Sequence, residues 1–493
     1  MEIHSEKSDI QKRNWDDFFS HNFSPRLFSS IVFSFFLLLI SMNLIENENT
    51  FSQQFLASCI LFVCFLPFII WTFGSNVRIP AFPFMVLLYA VFFSLPVFLL
   101  PKISIHFNQP RFDDSLIEES LWIVLIGVIS MCVAYYFPLP KNISQNIPHL
   151  KIEWKNERKL SKLFIFLGVV GIFSFFANRN FSIPLQFKMV VNILTDLSMC
   201  SIIFLYALIL SKKRKEMSSG LSFLILISFF SFFIIRFVIA IGNQSVGEVA
   251  RLVLPISLLY ICFLKKFPWL FIISGLILYV IIRPYKGAHF EEGLFDYQVY
   301  GVLYDFFIFS SGAIERFMDK GMGFVEDLRQ SWYRLSQLST LIYVLEFTPN
   351  PIPFWEGETY SAFFTKIIPR FLYPDKPIDI YAFEFGNRYE LVRAEDFDTS
   401  VRLPLLTEFF VNFGKTGVYT GMFLVGLFFR FFDKLFMHSR FGLGEIVIFT
   451  FLWVKMFNPE QHLNSSIGSL FLYVPFCFFL HLVVKSFDVK KSV

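Results

Sequence analysis

The stretch that decides the fold is Leu221-Ser-Phe-Leu-Ile-Leu-Ile-Ser-Phe-Phe-Ser-Phe-Phe-Ile-Ile-Arg-Phe-Val-Ile-Ala-Ile241. It runs for 21 residues with a single charge, Arg236. A helix needs about 20 mostly apolar residues to cross the hydrocarbon core of a bilayer. Water is absent there, so every backbone N–H and C=O must find a partner within the segment, and a helix does this. Working outward, similar runs recur along the chain. They occupy 27–44, 55–73, 81–100, 117–137, 160–177, 190–210, 221–241, 249–264, 270–282, 417–432, 446–457 and 470–484. The expectation is an all-α integral membrane protein of about twelve transmembrane helices.

Composition agrees. Of 493 residues 55% are hydrophobic and 17% charged, more apolar than an ordinary soluble domain. The net charge of +4 is small, and the basic residues sit in short clusters beside apolar runs, which argues for topology rather than nucleic-acid binding. The six cysteines all lie in apolar runs without CxxC spacing, which argues against a disulfide framework or a structural zinc site. The 71 Phe residues suit lipid but name no ligand.

Basic clusters also set the orientation. Lys7, Lys12, Arg13 and Arg26 precede the first run, and Lys151, Lys155, Arg158, Lys159 and Lys162 follow the fourth. Lys212, Lys213, Arg214 and Lys215 follow the sixth, Lys265 and Lys266 the eighth. Arg430, Lys434 and Arg440 come after the tenth, and Lys485, Lys490 and Lys491 close the sequence. With alternating spans all face one side, which the positive-inside rule makes the cytoplasm. The polar N-terminal stretch and long first run read as an uncleaved anchor. The expected organisation is a cytoplasmic tail at 1–26, helices 1–9 over 27–282, a large outer loop at 283–416, helices 10–12 over 417–484, and a cytoplasmic tail at 485–493. In a Gram-negative cell the loop is periplasmic, lying between helices 9 and 10 and carrying short interfacial helices.

That loop is where surface chemistry has room. It collects Arg334, Arg370, Lys376, Arg388, Arg393 and Arg402, side chains suited to gripping phosphate oxygens. Ion pairing with Asp375, Glu384, Glu395, Asp396 and Asp398 is the plainer alternative. Arg251, near the outer end of its span, can join the cluster. Arg236 lies deeper and calls for a partner such as Asp196. Glu408 belongs to Leu403-Pro-Leu-Leu-Thr-Glu-Phe-Phe-Val-Asn-Phe-Gly414, which reads as a helix ended by Gly414, with Glu408 and Asn412 on one face. A carboxylate at the apolar boundary suits a general base, and Asp398 is a second candidate. For Glu408 the alternative is a cap or an ion pair with Arg402 or Lys415. Asp396-Phe-Asp398 is the one Asp-x-Asp of the loop, and ion pairing explains it better than a metal site. His289 and His462 stand alone.

The run from Arg334 to Gly417 resembles the Wzy-type O-antigen polymerases, or oligosaccharide repeat unit polymerases. The resemblance rests on Gly357-Glu-Thr-Tyr360, Ile368-Pro-Arg370, Tyr373-Pro-Asp-Lys-Pro377, Asp398-Thr-Ser400, and Thr407 to Gly414 with Gly417. It covers about a sixth of the chain. An Arg-x10-Gly pattern of some polymerases has its nearest counterpart in Arg402 and Gly414, one residue longer. The resemblance implies a glycosyltransferase of the bacterial inner membrane that needs no cofactor or metal. It would polymerise undecaprenyl-diphosphate-linked repeat units into a surface polysaccharide. By the same resemblance Arg370, Lys376 and Arg402 hold the diphosphate, and Glu408 or Asp398 activates the acceptor hydroxyl. Trp355, Tyr360 and Tyr373 stack on sugar rings. A chain-length regulator and a flippase are the partners it suggests. Two rivals stay open: an O-antigen ligase, which shares the donor, and a lipid-linked sugar flippase, which would more often show repeats and broken helices.

Overall fold

The computed structural model describes residues 48–74, 79–105, 110–137, 156–211, 218–242, 246–264, 335–361, 380–393, 401–436, 442–456 and 462–489, with isolated positions between. Among them every regular element is helical. In chain order these are α1 (Phe51–Gly74), α2 (Ala81–Leu99), α3 (Asp114–Tyr136), α4 (Glu157–Asn180), α5 (Leu185–Leu210) and α6 (Ser219–Gly242). Then come α7 (Val246–Leu264), α8 (Gln337–Phe347), α9 (Tyr381–Arg388), α10 (Leu405–Phe436), α11 (Leu443–Met456) and α12 (Leu463–Val489). Eight of these, α1 to α7 and α12, are long and apolar enough to cross a membrane. The chain is a multi-pass α-helical membrane protein. The expected spans at 27–44 and 270–282 fall outside the described residues, apart from position 275.

The lipid-facing side of the bundle is written in aromatic residues. Phe166, Phe173, Phe223, Phe230, Phe478 and Phe479 are all exposed, an arrangement that water would penalise and hydrocarbon does not. Among the eight spans burial is greatest on α5, against which α4, α6, α7 and α11 all pack. A second group joins α1, α2, α3, α8 and α10. Close helix approach in it depends on absent side chains. A Cβ at Gly426 of α10 would sit 2.1 Å from the Met131 carbonyl oxygen of α3. In the α4–α5 pair a Cβ at Gly171 would meet the Ser198 backbone nitrogen at 2.3 Å. Small residues of this kind let membrane helices make backbone-level van der Waals contact.

Local sequence explains the helix ends. Asn156 caps α4 by accepting from the Lys159 N–H at 3.1 Å, and Ser336 caps α8 by accepting from the Ser339 N–H at 3.2 Å. The helix α8 stops at Phe347 because Pro349 and Pro351 follow closely, and the residue before a proline avoids the helical region. Within α2 the backbone widens into one π-helical stretch, Ala90–Ser94, where the Ser94 hydroxyl donates to the Ala57 carbonyl on α1 at 2.7 Å. Among the short helices expected in the long loop, α8 is present, with Leu338, Leu341, Ile342 and Val344 fully buried against α3, α10 and the π stretch. The span expected from 417 is the second half of α10, whose axis breaks at Gly414 (φ 64°, ψ −153°). Gly414 does end one helix as read from sequence, but the next starts immediately.

Two carboxylates inside the bundle are held by side chains of other helices. Asp196 of α5 accepts from the Lys455 ammonium of α11 at 2.5 Å and from the Tyr473 hydroxyl of α12 at 2.5 Å. Arg236, the partner expected from sequence, lies over the Phe175 ring instead, 5.9 Å from its centroid. Asp433 of α10 accepts from the Tyr135 hydroxyl of α3 in a short contact, and Arg430 donates to the Tyr135 carbonyl at 2.8 Å. A buried pair is dearer to break than to replace whole. Asp196→Asn should therefore destabilise the protein by about 3–5 kcal/mol, and Asp196→Leu combined with Lys455→Met should recover most of that. Thermal unfolding in detergent measures both, and equal losses in the two variants would contradict the pairing.

Candidate functional site

Three segments meet at one end of the bundle: the turn at 355–360, the first turns of α10, and the first turn of α12. The chain enters α10 from Pro404, whose carbonyl accepts from the Glu408 N–H at 2.7 Å. Glu408 and Asn412 do lie one turn apart, as their spacing requires, and both are buried. Asn412 uses its whole amide. Its Nδ2 donates to the Thr359 hydroxyl at 2.9 Å and to the Glu408 carbonyl at 2.8 Å, while its Oδ1 accepts from the Gly357 N–H at 2.9 Å. The Trp355 N–H adds a bond to the Val411 carbonyl at 3.0 Å. Gly357 turns the chain here with φ 89°, a conformation open to glycine. The turn is thereby laced to α10 along one face.

Glu408 Oε2 accepts from the Leu463 N–H at 2.5 Å, the backbone donor that opens α12. The orphan donors and the dipole at a helix N-terminus favour a carboxylate in that position. The cap weighed for this residue is present. Lys415 reaches Glu119 of α3 at 2.5 Å instead. Tyr360 stacks on Phe413, with centroids 6.2 Å apart. Burial, and then the Glu408 charge, push its phenol well above the ordinary tyrosine range, so it stays protonated at neutral pH.

The two arginines at this end converge although 151 positions separate them in sequence. A Cβ placed on Gly247 would lie 3.8 Å from an Arg402 Nη2 and 3.9 Å from an Arg251 Nη2. Arg251 anchors itself by donating from Nε to the Gly247 carbonyl at 3.2 Å, and both side chains are exposed. Two guanidinium groups beside a bare glycine can receive one anion with several oxygens. The other candidates divide. Arg334, Arg370, Lys376 and Asp398 lie outside the described residues. Tyr373 is exposed. Trp355 is buried, and one face of its indole carries the Arg388 guanidinium 4.3 Å from the ring centroid. Arg388 in turn pairs with Glu358 at 2.9 Å and more closely with Glu384, so for this arginine the plain ion-pair reading describes the contact made.

Sequence reasoning missed Lys455, a lone cation in the apolar run of α11 whose position alone was a usable signal. His462, named from sequence only as an isolated histidine, is buried, and its carbonyl accepts from the N–H groups of Ser465 and Ser466 at the start of α12. Comparison of the chain with protein-family models, with curated proteins and with solved structures returned no match.

The cap has a direct consequence. Glu408→Ala should cost about 0.5–2 kcal/mol by stripping the acceptor from the Leu463 N–H. Glu408→Gln retains an acceptor oxygen and should stay within a few tenths of a kcal/mol of wild type. Chemical or thermal unfolding of both variants reads the difference, and equal stability of Ala and wild type would remove the capping role.

Proposed function

We propose that this chain is a membrane glycosyltransferase that polymerises lipid-diphosphate-linked oligosaccharide repeat units into a bacterial surface polysaccharide. The observation that carries the reading is the meeting of Arg251 and Arg402 at Gly247, exposed at the end of the bundle where α10 begins. A lipid-linked diphosphate presents a dianionic headgroup at the membrane boundary while its tail stays in hydrocarbon. A pair of fixed, permanently charged forks at that boundary suits it.

The chemistry follows from what such a donor needs. The bond from the anomeric carbon to the diphosphate oxygen breaks, the bond to the acceptor hydroxyl oxygen forms, and the hydroxyl proton passes to a carboxylate. Negative charge grows on the leaving diphosphate, and preorganised guanidinium groups stabilise it without reorganising. Arg370 and Lys376 extend that grip in this reading. Asp398 and Glu408 are the carboxylates available as base, Glu408 with one oxygen already held by Leu463. In the same reading the protein sits in the inner membrane with both termini in the cytoplasm, and the segment from 283 to 416 faces the periplasm.

Arg251→Glu and Arg402→Glu should each reduce polymer formation about 100-fold or more, with protein still present in the membrane fraction. The assay is complementation of a deletion strain, read as the length of the surface polysaccharide ladder. Collapse to single repeat units is the expected outcome. A full-length ladder in both variants overturns the reading. Loss of surface polymer with long chains accumulating on the lipid carrier would instead mark a ligase.

A further inference from the structure

Asn464, in the first turn of α12, is fully buried, and neither its amide oxygen nor its amide nitrogen has a hydrogen-bond partner. Among the described residues no other side chain carries two such atoms. Thr407, beside Glu408 on α10, is likewise fully buried with its hydroxyl unpartnered, and so is the indole N–H of buried Trp355. Buried polar groups in folded proteins are nearly always satisfied, and each exception calls for an explanation. These exceptions stand on the three segments that the Asn412 amide and the Glu408–Leu463 contact tie together. The set mixes neutral donors with neutral acceptors, and the turn that packs on both helices carries the rings of Trp355 and Tyr360.

That chemistry discriminates. A phosphate would want cations, and an apolar chain would want no amide. A sugar offers hydroxyls that both donate and accept, with C–H faces that lie against aromatic rings. We infer that Asn464 and Thr407 form a hydroxyl-binding subsite for a neutral hexose or N-acetylhexosamine, closed in this structure by the turn at 355–360. The turn has the features of a cover. Its pivot holds Glu356 and Gly357 at positive φ, 49° and 89°, and the first of these is costly for a residue with a side chain. Its outer fastening is the Arg388–Glu358 pair, which is partly solvent-exposed, and its inner fastenings, which lifting must break, are the bonds of Asn412 to Gly357 and Thr359 and of the Trp355 backbone N–H to Val411. When the turn lifts, the two orphan side chains meet a polyol, and closing it again shuts water out. This subsite rests on the glycosyltransferase reading for its physiological ligand, as the place where the sugar sits relative to the Arg251–Arg402 anion grip.

The test uses the full chain purified in a sugar-free detergent. Lactose and N,N′-diacetylchitobiose serve as probes, with binding followed by saturation-transfer NMR and stability by thermal unfolding. Asn464→Leu keeps the branched side-chain shape and removes the amide. Wild type should bind at least one probe, and Asn464→Leu should bind it about ten-fold more weakly while melting at the same or a higher temperature, because an unsatisfied buried amide has been removed. Equal binding by wild type and Asn464→Leu overturns the subsite, as does absence of transfer to both probes. The two readings fail separately. Loss of polymer in Arg251→Glu without any Asn464-dependent sugar binding leaves the function and removes the subsite. Asn464-dependent binding with a full ladder in Arg251→Glu does the reverse.

Discussion

The amide of Asn412 holds the candidate site in place. It makes two donor bonds and an acceptor bond, to Thr359 and Gly357 of the turn and to Glu408 of its own helix, in a largely buried setting. Each bond is modest when it replaces one to water. In a dry environment the alternative is an unsatisfied amide, and that asymmetry favours the closed arrangement. The break at Gly414 follows two residues later, so α10 changes direction immediately beyond its most heavily bonded turn. One half of α10 thereby aligns with α3, through Gly426 and Met131, while the other half supports the turn and meets α12. Arg402 enters from the loop just before this rigid half, which fixes where its guanidinium can reach.

Electrostatics divides the bundle by depth. Within it, Asp196 and Lys455 neutralise each other across α5 and α11 while Tyr473 of α12 donates to Asp196, and Asp433 is held by Tyr135. At the end of the bundle, cations and carboxylates are distributed instead over separate contacts: Arg388 with two glutamates, Lys415 with Glu119, Arg251 with a backbone carbonyl. Compensated charge in the interior supports packing of helices that carry few other polar constraints. The Arg251 and Arg402 guanidinium groups lie at that end, at the surface.

Much of the helical framework was legible in the chain because hydrocarbon imposes a length and a composition on each span. Residues 117–137 were read as a span and the helix covers Asp114–Tyr136; residues 221–241 were read and the helix covers Ser219–Gly242. The helix ends extend past the apolar runs because capping and interfacial polar residues join the first and last turns. Pairing was not legible. Asp196 looked to Arg236 because they are close in sequence and both lie in spans, yet the cation that meets it is 259 positions away. Nothing local to either residue encodes that contact. The same limit applies to Arg251 and Arg402, which sequence could nominate singly but not bring together. Glu408 and Asn412 were readable as a pair because helix periodicity alone puts them on one face. The N–H that Glu408 caps belongs to a segment whose approach is set by packing.

The π stretch at Ala90–Ser94 gives α2 a further property. Such a bulge amounts to one residue inserted into an α-helix, with the flanking turns left in their original angular register. Elsewhere along these spans, removing a residue would rotate everything beyond it by about 100°, swinging lipid-facing rings inward. Inside this stretch a single deletion would relax the wide turn to ordinary α geometry and leave both flanks facing as before. Chain length in the bundle is therefore elastic by one residue at this place, and the toll would fall on the Ser94 bond to Ala57 rather than on the fold.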